Sequence, residues 1–325
     1  MNFLTHPPAG YWDYRPAVGP GGNSAVFERA PSSGAQSTLY IITDFASEAA
    51  APFLQGSAPA SQTRPDWFWG TVSDASDIVF NGAQNNTSTV SVWKAGVGQR
   101  TPQAIASTAT YSYPTWGPDG KHLVVRNGSA QAKPSPCNSI IDLSGNVTVA
   151  NVSGQDPNNT AMFGGMPAIN PMDVWLTNLP LIAFAGQPAI TGWAGSTSPQ
   201  PQYVEDYNYI YLNGLISDGG PYRYVSAPME PDAPLTSFNA AFQGRAPAVS
   251  PDGKTVAFES NRDGGYAIYL FDRTTKAVTQ VTDPTLNGQH AKFFPGGTKL
   301  ILCIRSSATS PMAIAWVDIS GLLKS

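Results

Sequence analysis

The sequence predicts an all-β fold: a six-bladed β-propeller of four-stranded antiparallel blades, closed into a ring by the N-terminal strand. Three observations predict it. A unit of strand, tight turn, strand, turn and strand recurs six times along the chain. The units are roughly 40 to 50 residues long, which is typical of propeller blades. The 325 residues include 31 glycines and 29 prolines, which suits a fold with many short turns.

The clearest copy of the unit lies at residues 246–272, "APAVSPDGKTVAFESNRDGGYAIYLFD". In its turn, Pro251 fixes φ, Asp252 can bond its own backbone, and Gly253 accepts a positive φ. The segments on either side are short apolar, β-branched or alternating runs, which indicates strands. A single meander cannot bury both of its faces, so this unit requires neighbours of the same kind.

The other five copies begin at Arg15, Arg64, Tyr113, Met166 and His290. Their second strands align as "SAVFER", "DIVFNG", "HLVVRN", "LIAFAG" and "KLILCI", beside "TVAFES" of the clearest copy. The fourth copy carries an insertion at 187–206, between its second and third strands. The alignment predicts one domain over 1–325, with blades at roughly 10–57, 58–108, 109–156, 160–237, 238–283 and 284–325 plus 1–6.

The N-terminus supplies the missing strand of the last blade. The chain ends with "ISGLLKS", which leaves little room for an outer strand, whereas "FLTH" at 3–6 resembles the outer strand "QVTD" at 280–283. We therefore expect the first residues to pair with the last blade, which removes the free edges that an open sheet would expose.

The repeat resembles a known family. "SPDGK", "VAFES" followed by Asn-Arg-Asp-Gly, and "IYLFD" are similar to the WD40-like (PD40) repeat of TolB-like propellers. The resemblance implies a six-bladed ring over nearly the whole chain. It does not imply one function, because this scaffold serves protein-binding modules, peptidase-associated domains, oligogalacturonate-type lyases and sugar-binding proteins.

The composition narrows the range of partners. Charged residues make up 12% of the chain and the net charge is −4, so no basic field favours nucleic acid. No apolar run reaches the roughly 18 residues of a membrane helix. The start "MNFLTHPPAG" shows no leader, so we expect a periplasmic or secreted protein if a leader has been removed and a cytoplasmic one otherwise. By analogy with other propellers we expect a monomer.

The two cysteines fall in different blades. Cys137 belongs to the third copy and Cys303 to the sixth, on opposite sides of the predicted ring. We therefore expect two buried free thiols and no disulfide.

A candidate site follows from the residues that precede the first-strand prolines. They are Arg15, Arg64, Tyr113, Met166 and Ala246, with His290 in the equivalent position of the sixth copy. Because the first strand of each blade lines the central channel, these residues should meet at one channel mouth, with Arg245 one position away. Guanidinium groups bind carboxylate or phosphate, which indicates an anionic ligand. Alternatively, each arginine pairs with a nearby carboxylate such as Asp13 or Asp66 and joins neighbouring blades.

Two tryptophans could extend this site. Trp12 precedes the first copy, and Trp193 lies in the insertion, which should fall on the same face as the mouth. Flat aromatic rings stack on sugars or anchor peptides. The predicted ligand-binding residues are Arg15, Arg64, Tyr113, Arg245, His290, Trp12 and Trp193.

The motifs of common hydrolases, zinc enzymes and phosphate loops are not found, so we predict no cofactor and no metal. The three histidines, His6, His122 and His290, should not meet. The sequence thus favours a non-catalytic propeller that binds a protein partner or an anionic or sugar ligand.

The alternative is a lyase on acidic, uronate-containing oligosaccharides. His290 or Tyr113 would then be the base, and Arg15 and Arg64 would neutralise the carboxylate. These four groups around one cavity would favour the lyase, whereas a wide apolar rim would favour a protein partner.

Overall fold

The fold is a ring of six antiparallel sheets with four strands each, as the sequence predicts. The structure of the protein is a computed structural model. The structure describes residues 1–34, 36–47, 49–70, 78–84, 90–106, 108–129, 134–155, 161–169, 182–188, 209–216, 223–230 and 242–323. Most of the insertion at 187–206, including Trp193, therefore lies outside the described residues.

Each blade contributes an inner, a second, a third and an outer strand. The inner strands are Tyr11–Val18, Ser61–Trp67, Tyr111–Trp116, Met162–Ile169, Gly244–Val249 and Gln289–Phe293. The second strands are Ala25–Pro31, Ile78–Ala83, His122–Asn127, Ile182–Pro188, Thr255–Ser260 and Lys299–Arg305. The third strands are Thr38–Ile42, Ser91–Ala95, Cys137–Asp142, Tyr209–Ile216, Ala267–Asp272 and Met312–Asp318. The outer strands are Ala50–Pro52, Gln103–Ala104, Val147–Val149, Arg223–Pro228, Val278–Gln280 and, for the sixth blade, Asn2–Phe3.

The core lies between the blades. The inner strands of neighbouring blades contact each other around the whole ring, including the first with the sixth. Six apolar clusters fill the six blade interfaces. Trp67 packs in the cluster between the first two blades and Trp116 in the next one, so both serve the core. This arrangement gives each blade two buried faces, which a lone meander lacks.

The N-terminal strand pairs with the last blade. Asn2 lies opposite Trp316 and Phe3 opposite Ala315 in an antiparallel ladder. The pairing continues beyond the strand, because Leu4 N–H donates to the Ile314 carbonyl at 2.8 Å. Ile314 N–H in turn donates to Thr5 Oγ1 at 2.8 Å. These contacts are consistent with ring closure by the N-terminus.

Both cysteines are buried free thiols. Burial raises the pKa of Cys137 to about 11 and that of Cys303 to about 12.

The one short helical segment with described bounds is a 3-10 turn at Pro284–Leu286. Within the described part of the chain, no helix has the length and apolar character needed to cross a bilayer.

Candidate functional site

One pocket at the centre of the ring is lined by all six blades. The residues that precede the first-strand prolines meet there, together with those prolines and three neighbours. They are Arg15, Pro16, Arg64, Pro65, Asp66, Tyr113, Pro114, Thr115, Met166, Pro167, Ala246, Pro247, His290, Ala291 and Lys292. The cavity volume is about 70 Å³. We call this cavity the mouth pocket.

A bulge in every inner strand turns these residues toward the channel. At each bulge two inner-strand residues face one residue of the second strand, as Arg15 and Pro16 face Phe27. The first bulge residue has a positive φ in all six blades, between 45° and 54°. These residues are Arg15, Arg64, Tyr113, Met166, Ala246 and His290. A non-glycine residue pays roughly 1–2 kcal/mol for this conformation, so other contacts must hold it.

Side chains of the preceding blade supply some of those contacts. Glu28 of the first blade accepts a hydrogen bond from the backbone N–H of Arg64 in the second. Asn81 Oδ1 accepts from Tyr113 N–H at 2.9 Å, and Glu259 Oε2 accepts from His290 N–H at 3.3 Å. In three blade pairs, therefore, a polar side chain of one second strand fixes the bulge of the next blade.

The arginine of the first blade is paired, but with neither of the carboxylates that the sequence suggested. Arg15 Nη1 donates to Glu28 Oε2 at 2.8 Å, and Glu28 is 1% exposed. Asp13 instead accepts two bonds from Arg29, at 2.7 and 2.8 Å. Asp66 approaches Lys292 Nζ at 3.5 Å and accepts from Trp116 N–H. These ion pairs form between neighbouring strands or between blades, so the spacing of the residues along the chain does not reveal them.

The arginine of the second blade is held by an aromatic ring. The Arg64 guanidinium lies over the Tyr113 ring, 3.9 Å from its centroid, and Nη2 donates to the Tyr113 hydroxyl at 2.9 Å. Among the described residues, Arg64 has no carboxylate partner, and nothing accepts a hydrogen bond from Nη1. This group is oriented in advance and keeps donors for a ligand.

His290 lies among positive charges. Burial lowers its pKa well below the usual value, and Arg15, Arg245, Arg64 and Lys292 lower it further. The ring is therefore neutral at pH 7. A base with such a low pKa accepts a proton poorly.

Two of the remaining predicted site residues, Arg245 and Trp12, lie elsewhere. Arg245 does not line the mouth pocket, because its Nε donates to the buried Glu259 at 2.6 Å and its guanidinium stacks on Tyr266. Trp12 packs edge-on to Tyr14, with Arg305 over its ring, also outside the pocket lining. Trp193 lies outside the described residues.

The histidines other than His290 do not line the pocket either. His122 pairs with Asp119 at 2.6 Å in a turn, and His6 is exposed beside the closing strand. Within the part of the chain that the structure describes, no group of three His, Cys, Asp or Glu side chains could hold a metal ion.

The structure adds pocket residues that the sequence reasoning missed. Asp66 and Lys292 both lie two positions after the bulge residue of their blade and approach each other across the channel. Alternation along the inner strand did not identify them, because the extra residue of the bulge breaks the period of two at these positions. Glu28 offered no local signal either, since its role depends on a contact with the next blade.

The fold is shared with solved propeller structures. TolB from Acinetobacter baumannii is 17% identical, with a TM-score of 0.57, and the match covers 96% of this chain and 62% of TolB. The chain thus spans less than two thirds of that protein. An oligogalacturonate lyase from Vibrio parahaemolyticus is 11% identical, with coverages of 99% and 94% and a TM-score of 0.50.

A third structure is the β-propeller domain of the Trilobed protease from Pyrococcus furiosus. It is 12% identical, covers 97% of each chain and has a TM-score of 0.50. The sequence itself matches no protein-family model and no curated protein. The comparisons therefore show a TolB-like six-bladed β-propeller fold. At these low sequence identities they support the fold alone.

Proposed function

We propose that this propeller is a non-catalytic binding module that holds an anionic ligand, or an acidic group of a protein partner, in the mouth pocket. One observation carries the proposal: Arg64 lines the pocket, is fixed by Tyr113, and has an Nη1 that no described residue accepts a hydrogen bond from. A fixed guanidinium with an unused donor binds a carboxylate at a small entropic cost. Arg15 adds positive charge beside it, although Glu28 neutralises much of that charge.

A lyase acting on acidic oligosaccharides is the second candidate. The observation in its favour is that His290, Tyr113, Arg15 and Arg64 line the same pocket. One feature weighs against it. The lowered pKa of His290 makes this residue a poor base.

A thermal-shift screen with acidic and neutral oligosaccharides, acidic peptides and small carboxylic acids tests the proposal. Ultraviolet absorbance in the same wells detects the unsaturated uronates that a lyase would form. We expect acidic compounds to raise the melting temperature of the wild type but not of Arg64→Gln. Lys121→Gln, which removes one charge from an exposed turn, is the matched control and should respond like the wild type.

Arg64→Gln is a sharper variant than any change at Arg15. Removing Arg15 leaves the buried Glu28 without its counter-ion, so lost binding could not be separated from lost stability. A melting-temperature rise that is equal in wild type and Arg64→Gln, or no rise with any acid, would contradict the proposal. Rising absorbance would indicate that the protein forms unsaturated uronates and is a lyase instead of a binding module.

A further inference from the structure

The mouth pocket has a polar and an apolar side. His290, Arg15, Arg64 and Tyr113, from the sixth, first, second and third blades, form an uninterrupted polar arc. The fourth and fifth blades contribute Met166–Pro167 and Ala246–Pro247, which offer only apolar side chains. A ligand in this pocket therefore meets cationic groups on one side and hydrocarbon on the other.

The positive charges around the pocket are compensated with one exception. Arg15 is neutralised by Glu28 at 2.8 Å, and Arg245 by Glu259 at 2.6 Å. Lys292 lies 3.5 Å from Asp66. Among the described residues, Arg64 alone of these cations has no carboxylate partner. One uncompensated cation matches one negative charge, and a second charge on the ligand would be repelled by Asp66, which lines the pocket.

Below the mouth pocket, described side chains narrow the channel. A second cavity of about 50 Å³ continues along the inner strands, and the two cavities share Asp66, Thr115 and Lys292. The Asp66–Lys292 contact joins the second and sixth blades at this level. Below it, Trp69 donates from Nε1 to the Val18 carbonyl at 2.9 Å and packs against the cluster between the fifth and sixth blades. These described side chains narrow the way from the mouth pocket toward the opposite face.

The volume limits what can enter. The mouth pocket holds about 70 Å³, less than half of the engineered apolar cavity of about 150 Å³ that accommodates benzene. This volume matches a short acid better than a six-membered ring such as a sugar ring. A carboxylate with a small alkyl group fits, and the remainder of a larger ligand would stay outside the mouth.

We propose that the mouth pocket recognises a single carboxylate whose neighbouring carbon carries a small apolar group, inserted end-on. The carboxylate contacts Arg64, and the apolar group faces Met166, Ala246 and their prolines. Two sources share this chemistry: a free short branched acid and the C-terminal residue of a polypeptide. This inference rests on the proposed binding function and narrows its ligand class.

Calorimetric titration of the whole chain with matched probes tests the inference. The free acid arm compares isobutyrate with neutral isobutyramide and with dianionic succinate. The polypeptide arm compares a five-residue peptide ending in valine with the same peptide amidated at its C-terminus. We expect each acid to bind at least about tenfold more tightly than its amide, because a hydrogen bond to a charged group contributes about 1.5–3 kcal/mol. Succinate should bind more weakly than isobutyrate.

The two arms also identify the source. A peptide acid that binds more tightly than isobutyrate indicates a polypeptide C-terminus, whereas a peptide that is excluded indicates a free acid. In either case Arg64→Gln should lower the affinity at least about tenfold, and Lys121→Gln should not change it.

The inference is overturned if the amides bind as well as the acids, or if succinate binds more tightly than isobutyrate. It is also overturned, with the proposed function intact, if only oligo-uronates show Arg64-dependent stabilisation in the thermal-shift screen. If no acid shows such stabilisation, the proposed function falls as well.

Discussion

The carboxylate of Glu28, in the first blade, contacts both Arg15 and Arg64. It accepts from the Arg15 guanidinium at 2.8 Å and from the backbone N–H of Arg64, which belongs to the second blade. A buried side chain thus neutralises one pocket cation and fixes the strained backbone of the other. Glu259 makes the equivalent contacts in the fifth blade, because it accepts from the Arg245 guanidinium and from the backbone N–H of His290 in the sixth blade.

Glu28→Gln should lower the free energy of unfolding by about 2 kcal/mol. The substitution keeps an acceptor for the Arg64 N–H but removes the negative charge from a buried ion pair. Arg15 is 31% exposed, so solvent reduces the loss below that of a fully buried pair. Chemical denaturation measures the change, with the exposed Asp44→Asn as control. Equal stabilities of wild type and Glu28→Gln would show that the pair contributes nothing.

Arg245→Gln and Arg64→Gln should have opposite effects. Arg245→Gln leaves Glu259, which is 0% exposed, without its cation, so we expect a loss of about 3 kcal/mol in stability and unchanged anion binding. Arg64→Gln should weaken anion binding with little loss of stability, because no carboxylate of the described chain depends on it. Chemical denaturation and calorimetric titration of both variants check this. If the two variants lost stability and anion binding to the same extent, the two arginines would not have separate roles.

Leu4→Ala should destabilise the ring by about 3 kcal/mol. Leu4 is buried in the cluster between the sixth and first blades, where the N-terminus closes the ring. Deleting residues 1–6 should lower the melting temperature further, because it also removes the bonds to Ile314. His6→Ala, an exposed neighbour, is the control and should melt like the wild type. An unchanged melting temperature after deletion would rule out closure by this strand.

The neutral state of His290 should make stability depend on pH. Its pKa is about 6.5 in the unfolded chain and well below that in the fold, so the unfolded state binds the proton first. The stability that neutral His290 provides is fully present above about pH 6.5 and is lost as the pH falls below it, by at most about 1.4 kcal/mol per unit.

His290→Asn isolates this contribution, because asparagine tolerates the positive φ and does not titrate. Burial raises the pKa of Glu259, which opposes the trend of His290 in the wild type. The difference between the two proteins, measured by denaturation from pH 5 to 7.5, should therefore grow as the pH falls. Parallel curves would contradict a histidine that is kept neutral in the folded protein.

Neither cysteine should react with a thiol reagent in the folded protein at pH 8. Burial raises the pKa values to about 11 for Cys137 and about 12 for Cys303, and only the thiolate reacts. Both should react after denaturation. Ala308→Cys, placed at an exposed turn, is the positive control and should react at once. Rapid reaction of two thiols in the native wild type would indicate that the sixth and third blades open.

The sequence by itself determined the architecture. Turns such as Ser250–Gly253 and the alternating strands beside them are local patterns, and their repetition requires a ring in which each blade covers the next. The alignment also identified which residue of each blade would reach the channel. The same argument gave the pairing of the N-terminus with the last blade, because an open edge strand is unfavourable.

Only the tertiary structure decided the partners of the charged residues. The sequence suggested Asp13 or Asp66 for the arginines, whereas Arg15 pairs with Glu28 and Asp66 contacts Lys292, 226 residues away. Such contacts depend on the twist of each blade and the spacing between blades, which no local pattern encodes. For the same reason, only the folded ring shows that Arg15 has a carboxylate partner while Arg64, one blade later, has none among the described residues.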